Sequence, residues 1–131
     1  MSLLRHSFKM SSKLLVKVSS KIKGHHIYQH NYHIGEDVKC EFDNNNQMSS
    51  NAVAVLTQDN KTIGHLPEQL ASKIHPCMVD GMITEITGTI SGDERDAAEG
   101  KWVQGGGVEL PCVFRIYGQI CNKLAVKNIL K

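Results

Sequence analysis

Histidine is the residue type in this sequence with the most varied chemistry, and four of the seven histidines lie between positions 25 and 33. His26 and His30 would lie one turn apart on a helix and could share a metal ion, with His33 near the same face. The segment carries no carboxylate or thiol at a usable spacing for completing such a site. Exposed or half-buried imidazoles are therefore the preferred interpretation, and we predict no metal and no cofactor.

Another histidine has a different setting, in the segment Gly64-His65-Leu66-Pro67. This segment joins a predicted strand to a predicted helix, so the imidazole of His65 should lie at the rim of the fold. An imidazole at a rim can contact a ligand, or it can form a hydrogen bond with a nearby loop. The sequence supports the two interpretations about equally.

Recognisable catalytic motifs are absent from the sequence. It contains no G-x-S-x-G elbow, no phosphate-binding P-loop, no glycine fingerprint opening a βαβ unit and no H-E-x-x-H. Glu94 and Asp96 fall in a predicted loop, where paired acids are usually solvated, and the glycines at 105–107 precede no predicted helix. We therefore predict a non-catalytic protein with no small-molecule substrate.

Positive charge is concentrated in the first part of the chain. Six Lys and Arg precede Glu36, the first acidic residue, whereas the nine remaining Lys and Arg share the rest of the chain with all thirteen acids. This asymmetry predicts a basic leader over residues 1–12 that contacts an anionic partner or, as a minor alternative, directs the chain to an organelle. The apolar run at 14–16 is too short for a secretory signal. We expect an intracellular location, nuclear or cytoplasmic, and no membrane association, because no apolar run is long enough to cross a bilayer.

The cysteines support the same location. Cys40, Cys77, Cys112 and Cys121 form no C-x-x-C pair and are widely spaced. This spacing argues against a zinc knuckle and against a disulfide scaffold. Reduced and partly buried thiols are the expected state.

Hydrophobic periodicity predicts a mostly β domain. The apolar positions indicate strands over Lys13–Ile22, Asp37–Phe42, Asn51–Thr57, Thr62–Leu66, Met82–Ile90 and Val108–Tyr117. Both faces of 51–57 are apolar, so this strand should be central to the sheet, whereas Pro111 should restrict the last strand to an edge or a bulge there. Because no βαβ alternation occurs, we predict a small, mostly antiparallel barrel of five or six strands.

One clear helix is expected after the Gly64-His65-Leu66-Pro67 segment. Pro67 suits the first helical turn, and Glu68 favours the positive end of the helix dipole. Leu70, Ala71 and Ile74 share one helical face, and Pro76 should end or kink the helix. Residues 13–118 then form the barrel domain, with 91–107 as a long exposed loop and 119–131 as a basic tail that a terminal helix would fit.

Four segments carry a resemblance to a known family. Gly24-x-x-x-Tyr28, Asn51-Ala52-Val53-Ala54-Val55, Gly64-His65-Leu66-Pro67 and Val108-Glu109-Leu110-Pro111-Cys112 follow one another as they do in the HIRAN domain. The chain resembles this family from Leu14 to Gly118, and it is similar above all to short animal HIRAN-like chains. The resemblance implies a small OB- or SH3-like barrel with a helix after the G-H-L segment.

The family also implies a ligand. Its members occur alone or fused to helicase-like DNA-repair ATPases and nucleases, and the best-understood eukaryotic ones hold the 3′ end of a single DNA strand. An aromatic ring stacks on a base there, basic groups hold phosphate, and a carboxylate with backbone amides fixes the terminal hydroxyl. The resemblance therefore implies nucleic acid as the partner, bound weakly as single strands or ends, in a process of the DNA repair or replication type.

Carried over residue by residue, the family's ligand site is altered in this chain. Ile27 replaces a stacking aromatic, Met48 stands where an aromatic is usual, and Ser49 replaces an acidic residue. Glu68 replaces a basic residue, and Val108 stands in place of a late aromatic. We predict that nucleic acid binds at the retained, replaced and neighbouring positions of this site, namely Lys21, Lys23, His26, Ile27, Tyr28, Ser49, Asn51 and His65.

The replaced residues also support an alternative of another class. Ile27, Met48 and Val108, with Glu68, would give an apolar rim carrying one acid, which suits a protein partner better than a phosphate. A protein-interaction module that kept the barrel and lost the DNA pocket is therefore the second hypothesis. Salt should weaken binding to phosphates and hardly affect apolar docking, so the response to salt separates the two.

Overall fold

The computed structural model describes residues 12–24, 28, 30–43, 50–96 and 108–131. These residues form seven strands, two α-helices and one turn of 3₁₀ helix. In chain order they are β1 (Ser12–Lys23), β2 (Asp37–Phe42), β3 (Val53–Leu56), β4 (Thr62–His65), α1 (Glu68–Val79), β5 (Glu85–Ile90), β6 (Arg95–Asp96), β7 (Val108–Gln119), the 3₁₀ turn (Ile120–Asn122) and α2 (Lys123–Ile129).

Six of the strands close into an antiparallel barrel. The order is β1-β4-β3-β2-β5-β7, and β1 pairs with β7 to close the ring, while the short β6 adds to β7. The mostly β barrel that the sequence predicts is therefore confirmed. β3 lies between β2 and β4 with all four of its residues buried, which agrees with its apolar pattern on both faces.

The ribbon of β1 and β7 is the longest pairing in the barrel. Its register runs from Ser12 opposite Gln119 to Lys23 opposite Glu109, and it shifts once between Leu14 and Val16. The shift acts as a β-bulge that turns Leu15 into the core, where only 2% of the residue is exposed. Beyond the bulge the side chains alternate regularly, so the lysines of β1 lie on the outer face of the ribbon.

The core fills the barrel and extends under both helices. Its largest fully buried side chain is Phe114 of β7, joined by Ile22 of β1 and Ile63 of β4. Ala71, Ile74 and Cys77 of α1 and Val126 of α2 close the core from outside. Each large apolar side chain removed from water contributes roughly 1.5–3 kcal/mol to folding, so this cluster holds the barrel shut. Among the described residues, no helix has the length and apolar character needed to cross a membrane.

Helix α1 follows the Gly64-His65-Leu66-Pro67 segment as predicted, but Pro76 does not end it. Pro67 is the residue before the first helical one, and the helix continues three residues beyond Pro76 to Val79. Proline costs a helix one hydrogen bond. The buried Cys77 and the bond from the Asp80 N–H to the Pro76 carbonyl, 2.9 Å long, hold the last turn in place. Tertiary packing therefore overrides the local preference.

Pro111 does not make β7 an edge strand, because β1 and the β5–β6 side flank it. The carbonyl of Pro111 accepts the N–H of Ser91 at 3.0 Å, just where β5 has ended and β6 has not begun. A strand residue directs its N–H and C=O to the same side. The side on which Pro111 lacks an N–H therefore faces the gap between β5 and β6. The predicted loop at 91–107 is also interrupted by β6; its residues 97–107 lie outside the described part of the chain.

Candidate functional site

The rim of the barrel at the end of β4 brings several of the predicted residues together. His65 is the Cα partner of Lys23 on β1 and of Ala54 on β3. The ring of Tyr28 lies 6.1 Å from the imidazole of His65, centroid to centroid, at an angle of 48°. A cation, an imidazole and an aromatic ring therefore share one rim.

Gly64 permits this arrangement. A Cβ atom at this position would clash with the side chain of Ile22 and would lie 2.6 Å from the carbonyl oxygen of Lys23. Only glycine lets β1 cross so close to β4. The next residue but one, Leu66, donates its N–H to the Val53 carbonyl at 3.0 Å and is buried. His65 is thus held between two fixed positions.

The carboxylate of Asp43, the residue that directly follows β2, reaches the same imidazole. Nε2 of His65 lies 2.6 Å from Oδ2 of Asp43, and about a fifth of each side chain is exposed. Asp43 in turn donates its N–H to the Ala52 carbonyl at 3.1 Å. Burial, and to a smaller extent the charge of Asp43, raise the pKa of Tyr28. The Tyr28 hydroxyl therefore stays protonated and able to donate a hydrogen bond at neutral pH.

A second carboxylate, that of Glu109 in β7, forms ion pairs with the basic residues of this rim. Its Oε2 lies 3.0 Å from Nζ of Lys21 and 2.9 Å from Nζ of Lys23, and its Oε1 lies 3.9 Å from Nε of Arg95. Burial alone would raise the pKa of Glu109, but the hydrogen bonds from Lys23 and Lys21 outweigh it, so the pKa is lowered. Both lysines remain about one-third exposed, so the cluster presents positive charge to solvent.

A different carboxylate organises part of the histidine segment. Oε2 of Glu36 lies 2.7 Å from Nε2 of His30, and its Oε1 lies 3.4 Å from Nδ1 of His33. Glu36 lies just beyond the histidine segment, and the turn at 33–36 folds it back onto both rings. His30 and Glu36 line an open cleft of about 530 Å³ that is also lined by Asp37 and Asp59. In the described ranges, no three histidine, cysteine or acidic side chains are placed to hold a metal ion.

The predicted binding residues fall into two groups. Lys21, Lys23, Tyr28 and His65 meet at the rim, and the half-buried Asn51 directly precedes Ala52, the partner of Asp43. His26, Ile27 and Ser49, like Met48, lie outside the described residues. Direct contact of these residues with a ligand stays a prediction.

Three rim residues were missed by the sequence reasoning, namely Asp43, Arg95 and Glu109. Asp43 lies at the start of an Asn-rich run and Arg95 in a predicted loop, where charged residues are commonplace. Glu109 belongs to a strand, and only the register of Lys23 opposite Glu109 reveals its role. No local signal identifies such a partner, because it is separated from the lysines by most of the chain.

The cysteines are free, with Cys40, Cys77 and Cys112 buried and Cys121 exposed. Burial raises the pKa of Cys112 to about 12 and raises that of Cys40 further. Both thiols therefore remain protonated at neutral pH and act as small apolar groups of the core.

Comparison with known proteins yields one family. The model of the HIRAN domain matches residues 15–120. The crystal structure of the HIRAN domain of human HLTF is similar, with a TM-score of 0.72 and 22% identity over 94% of this chain and 93% of that chain. The NMR structure of the HLTF HIRAN domain in its DNA-bound conformation has a TM-score of 0.69 and 22% identity over 95% and 93% of the two chains. None of the curated proteins compared with this sequence matches it.

Proposed function

The chain belongs to the HIRAN domain family, as the sequence predicts, and from that premise we propose that it is a non-catalytic module that binds single-stranded DNA or DNA ends weakly. The binding surface comprises Lys21, Lys23, His26, Ile27, Tyr28, Ser49, Asn51 and His65, with Arg95 added from the structure. An HLTF HIRAN domain of the same fold has a structure in a DNA-bound conformation, which supports DNA as the ligand.

The single observation that carries the proposal is the meeting of cations and an aromatic ring at one rim. Single-strand binding combines basic groups that hold phosphates with aromatic side chains on which bases stack. Lys23 lies opposite His65, the Tyr28 ring stands beside that imidazole, and 39% of Tyr28 is exposed. A base on Tyr28 would leave its phosphate within reach of Lys23.

The same contacts explain why the binding should be weak. Glu109 engages both lysines and offsets part of their charge, and Asp43 engages the imidazole of His65. A phosphate must compete with these carboxylates, and Glu68 adds a further negative charge at the first turn of α1. We expect binding that falls steeply with salt and that reads little base sequence.

A role in DNA repair or replication-type processes, and a nuclear or cytoplasmic location, follow as part of the proposal. They are supported by the family membership and by the free, largely buried thiols. DNA binding can be measured independently of this role and of this location.

One observation favours a protein partner as the second candidate. Alternation places Phe42 on the same face of β2 as Val38 and Cys40, but Phe42 is 39% exposed and packs edge-on against His75 of α1, at 4.9 Å between centroids. An exposed aromatic ring next to Asp43 is typical of protein interfaces, where aromatic residues are enriched. Docking through this ring would respond little to salt.

Fluorescence anisotropy with labelled single strands of about eight nucleotides tests the proposal. One strand carries a free 3′ hydroxyl and the other a 3′ phosphate, each titrated with the full chain at about 50 and 200 mM salt. Tighter binding of the free end supports an end pocket at the rim. Equal binding of both ends restricts the function to strand binding without end recognition. If neither strand binds at the lower salt concentration, DNA is not the ligand, and a protein partner becomes the hypothesis to pursue.

The matched variants are Lys23→Gln and Lys61→Gln. Each removes one positive charge, but Lys61 is exposed in the turn between β3 and β4, at the end of that hairpin away from His65. We expect the first variant to weaken DNA binding and the second to leave it unchanged.

A further inference from the structure

We propose that a cationic track on the outer face of the β1–β7 ribbon continues the DNA-binding rim and holds the phosphate backbone of the strand beyond it. The track consists of Lys17, Lys21 and Lys23 of β1 and Arg115 of β7. The inference rests on the proposed function, and it assigns Lys17 and Arg115 to the binding surface in addition to the rim residues.

The register of the ribbon places these side chains in one row. Lys23 lies opposite Glu109, Lys21 opposite Pro111, and Lys17 opposite Arg115. Paired residues of antiparallel strands project from the same face, and the residues between them, including Leu110, Cys112 and Phe114, are buried in the barrel. The track therefore lies wholly on the outside and begins at the rim with Lys23.

The spacing along the track suits an extended nucleic-acid strand. Residues two apart in a strand project on the same face at about 7 Å, and the six steps along β1 from Lys23 to Lys17 span about 20 Å. Successive phosphates of an extended single strand are separated by a comparable distance, so Lys23 and Lys21 can meet adjacent phosphates. Lys17 and Arg115 would meet phosphates a few nucleotides further from the end.

The guanidinium of Arg115 is fixed in position by hydrogen bonds to β5. Its Nε donates to Oγ1 of Thr87 at 3.2 Å, and its Nη1 donates to Oγ1 of Thr89 at 2.8 Å. The threonine hydroxyls are neutral, so they fix the guanidinium without cancelling its charge. Asp37 offsets part of the charge, with Oδ1 3.8 Å from Nη2.

The two ends of the track differ in how far carboxylates offset their charge. At the rim, the nearly buried Glu109 is within 3.0 Å of Nζ of both Lys21 and Lys23. At the far end, Lys17 is exposed, and Arg115 meets its carboxylate only at 3.8 Å. Because carboxylates offset less of the positive charge at the far end, Lys17 and Arg115 should strengthen the binding of long strands. Short strands held at the rim do not extend to these residues, so their binding should not change.

The test measures how affinity depends on strand length. Oligothymidylates of about four, eight and twelve nucleotides, all with a free 3′ hydroxyl, are titrated by anisotropy with the full chain at several salt concentrations. We expect affinity and salt dependence to rise with length. In Lys17→Gln/Arg115→Gln, the salt slope for the longest strand should fall by about 1.4, and the rise of affinity with length should largely disappear.

Controls separate the track from the rim and from folding. Lys61→Gln should preserve the length dependence. The single variant Lys17→Gln, at an exposed position, covers the case in which loss of Arg115 disturbs the sheet, and it should lower the slope by about 0.7. Circular dichroism checks that each variant is folded.

Three results would overturn the inference. If the double variant and Lys17→Gln both keep the full length dependence, the track does not bind DNA, although the rim still does. If polyglutamate competes with the longest strand as well as unlabelled DNA of equal charge does, the track accepts an acidic polypeptide instead. If no strand of any length binds the unmodified chain, the proposed function itself fails together with the track.

Discussion

Two histidine–carboxylate pairs in this barrel have nearly the same geometry and different surroundings. At the rim, His65 lies 2.6 Å from Asp43, and in the cleft, His30 lies 2.7 Å from Glu36. The imidazoles are equally accessible, with 22% and 21% of the side chain exposed. The pairs themselves therefore give no reason to assign a ligand to one and not to the other.

The neighbouring groups distinguish them. His65 lies opposite Lys23 and beside Tyr28, whereas the cleft around His30 adds the carboxylates of Asp37 and Asp59. A phosphate is attracted to the first setting and repelled by the second. A histidine that touches an acid is thus no evidence of a binding site by itself, and the charges around the pair decide what it can hold.

The largest difference should appear in stability when a glycine of the rim and a glycine of the cleft are each replaced by alanine. In Gly64→Ala, the new Cβ meets the Ile22 side chain and the Lys23 carbonyl, and we expect the free energy of unfolding to fall by about 3 kcal/mol. Gly35, in the cleft, has nothing within 4 Å but a φ of +93°, so Gly35→Ala should cost only about 1–2 kcal/mol. Urea denaturation measures both. Equal losses would mean that the close crossing of β1 and β4 is not needed.

The next effect compares the two imidazoles directly. His65→Ala should weaken DNA binding about tenfold, the size expected when one charge-assisted hydrogen bond is lost. His30→Ala should leave the affinity within the error of the anisotropy titration. If the cleft variant loses as much affinity as the rim variant, the contrast in neighbouring charge does not determine the site.

A smaller effect concerns salt. Lys23→Gln should reduce the slope of log affinity against log salt by about 0.7, because one phosphate contact to a single strand is lost. Lys61→Gln should leave the slope unchanged, and the two titrations can be run side by side. An unchanged slope in Lys23→Gln would mean that Lys23 makes no phosphate contact.

The smallest effect separates Glu109 from the other acids of the rim. Because its pKa is lowered in the folded protein from the ordinary value of 4.5, its ionised form stabilises the fold above that pH. This stabilisation is lost as the pH falls through the folded-state pKa. In Glu109→Gln, stability should therefore decline less between pH 5 and pH 3 than in the unmodified chain, as measured by thermal unfolding. A parallel decline of both proteins would contradict the ion pairs with Lys21 and Lys23.

The fold could largely be predicted from the sequence because hydrophobic alternation is a local property. It placed β2 at Asp37–Phe42 with the observed bounds, and it identified β3 as central from its two apolar faces. The expectations for the two prolines were met only in part, because distant packing also acts there. Pro76 does not end α1, since the next residue, Cys77, is buried, and Pro111 lies inside the barrel, opposite the break between β5 and β6, and not at an edge.

The candidate site could be predicted only in part, for the same reason. Lys23, Tyr28 and His65 were named because they lie in recognisable segments. Asp43 and Glu109 were not, because the pairing of strands distant in sequence brings them to the rim, Asp43 directly after β2 and Glu109 within β7. The charges that partner the predicted binding residues are thus a property of the closed barrel and not of any single segment.

The most direct test of DNA binding at the rim is an NMR titration of the ¹⁵N-labelled full chain with a short single strand bearing a free 3′ hydroxyl. We expect the backbone amide shifts to change around Lys23, Tyr28 and His65 and to remain constant around His30 and Glu36. Changes confined to the cleft, or no changes at all at low salt, would contradict the assignment of the rim as the DNA-binding site.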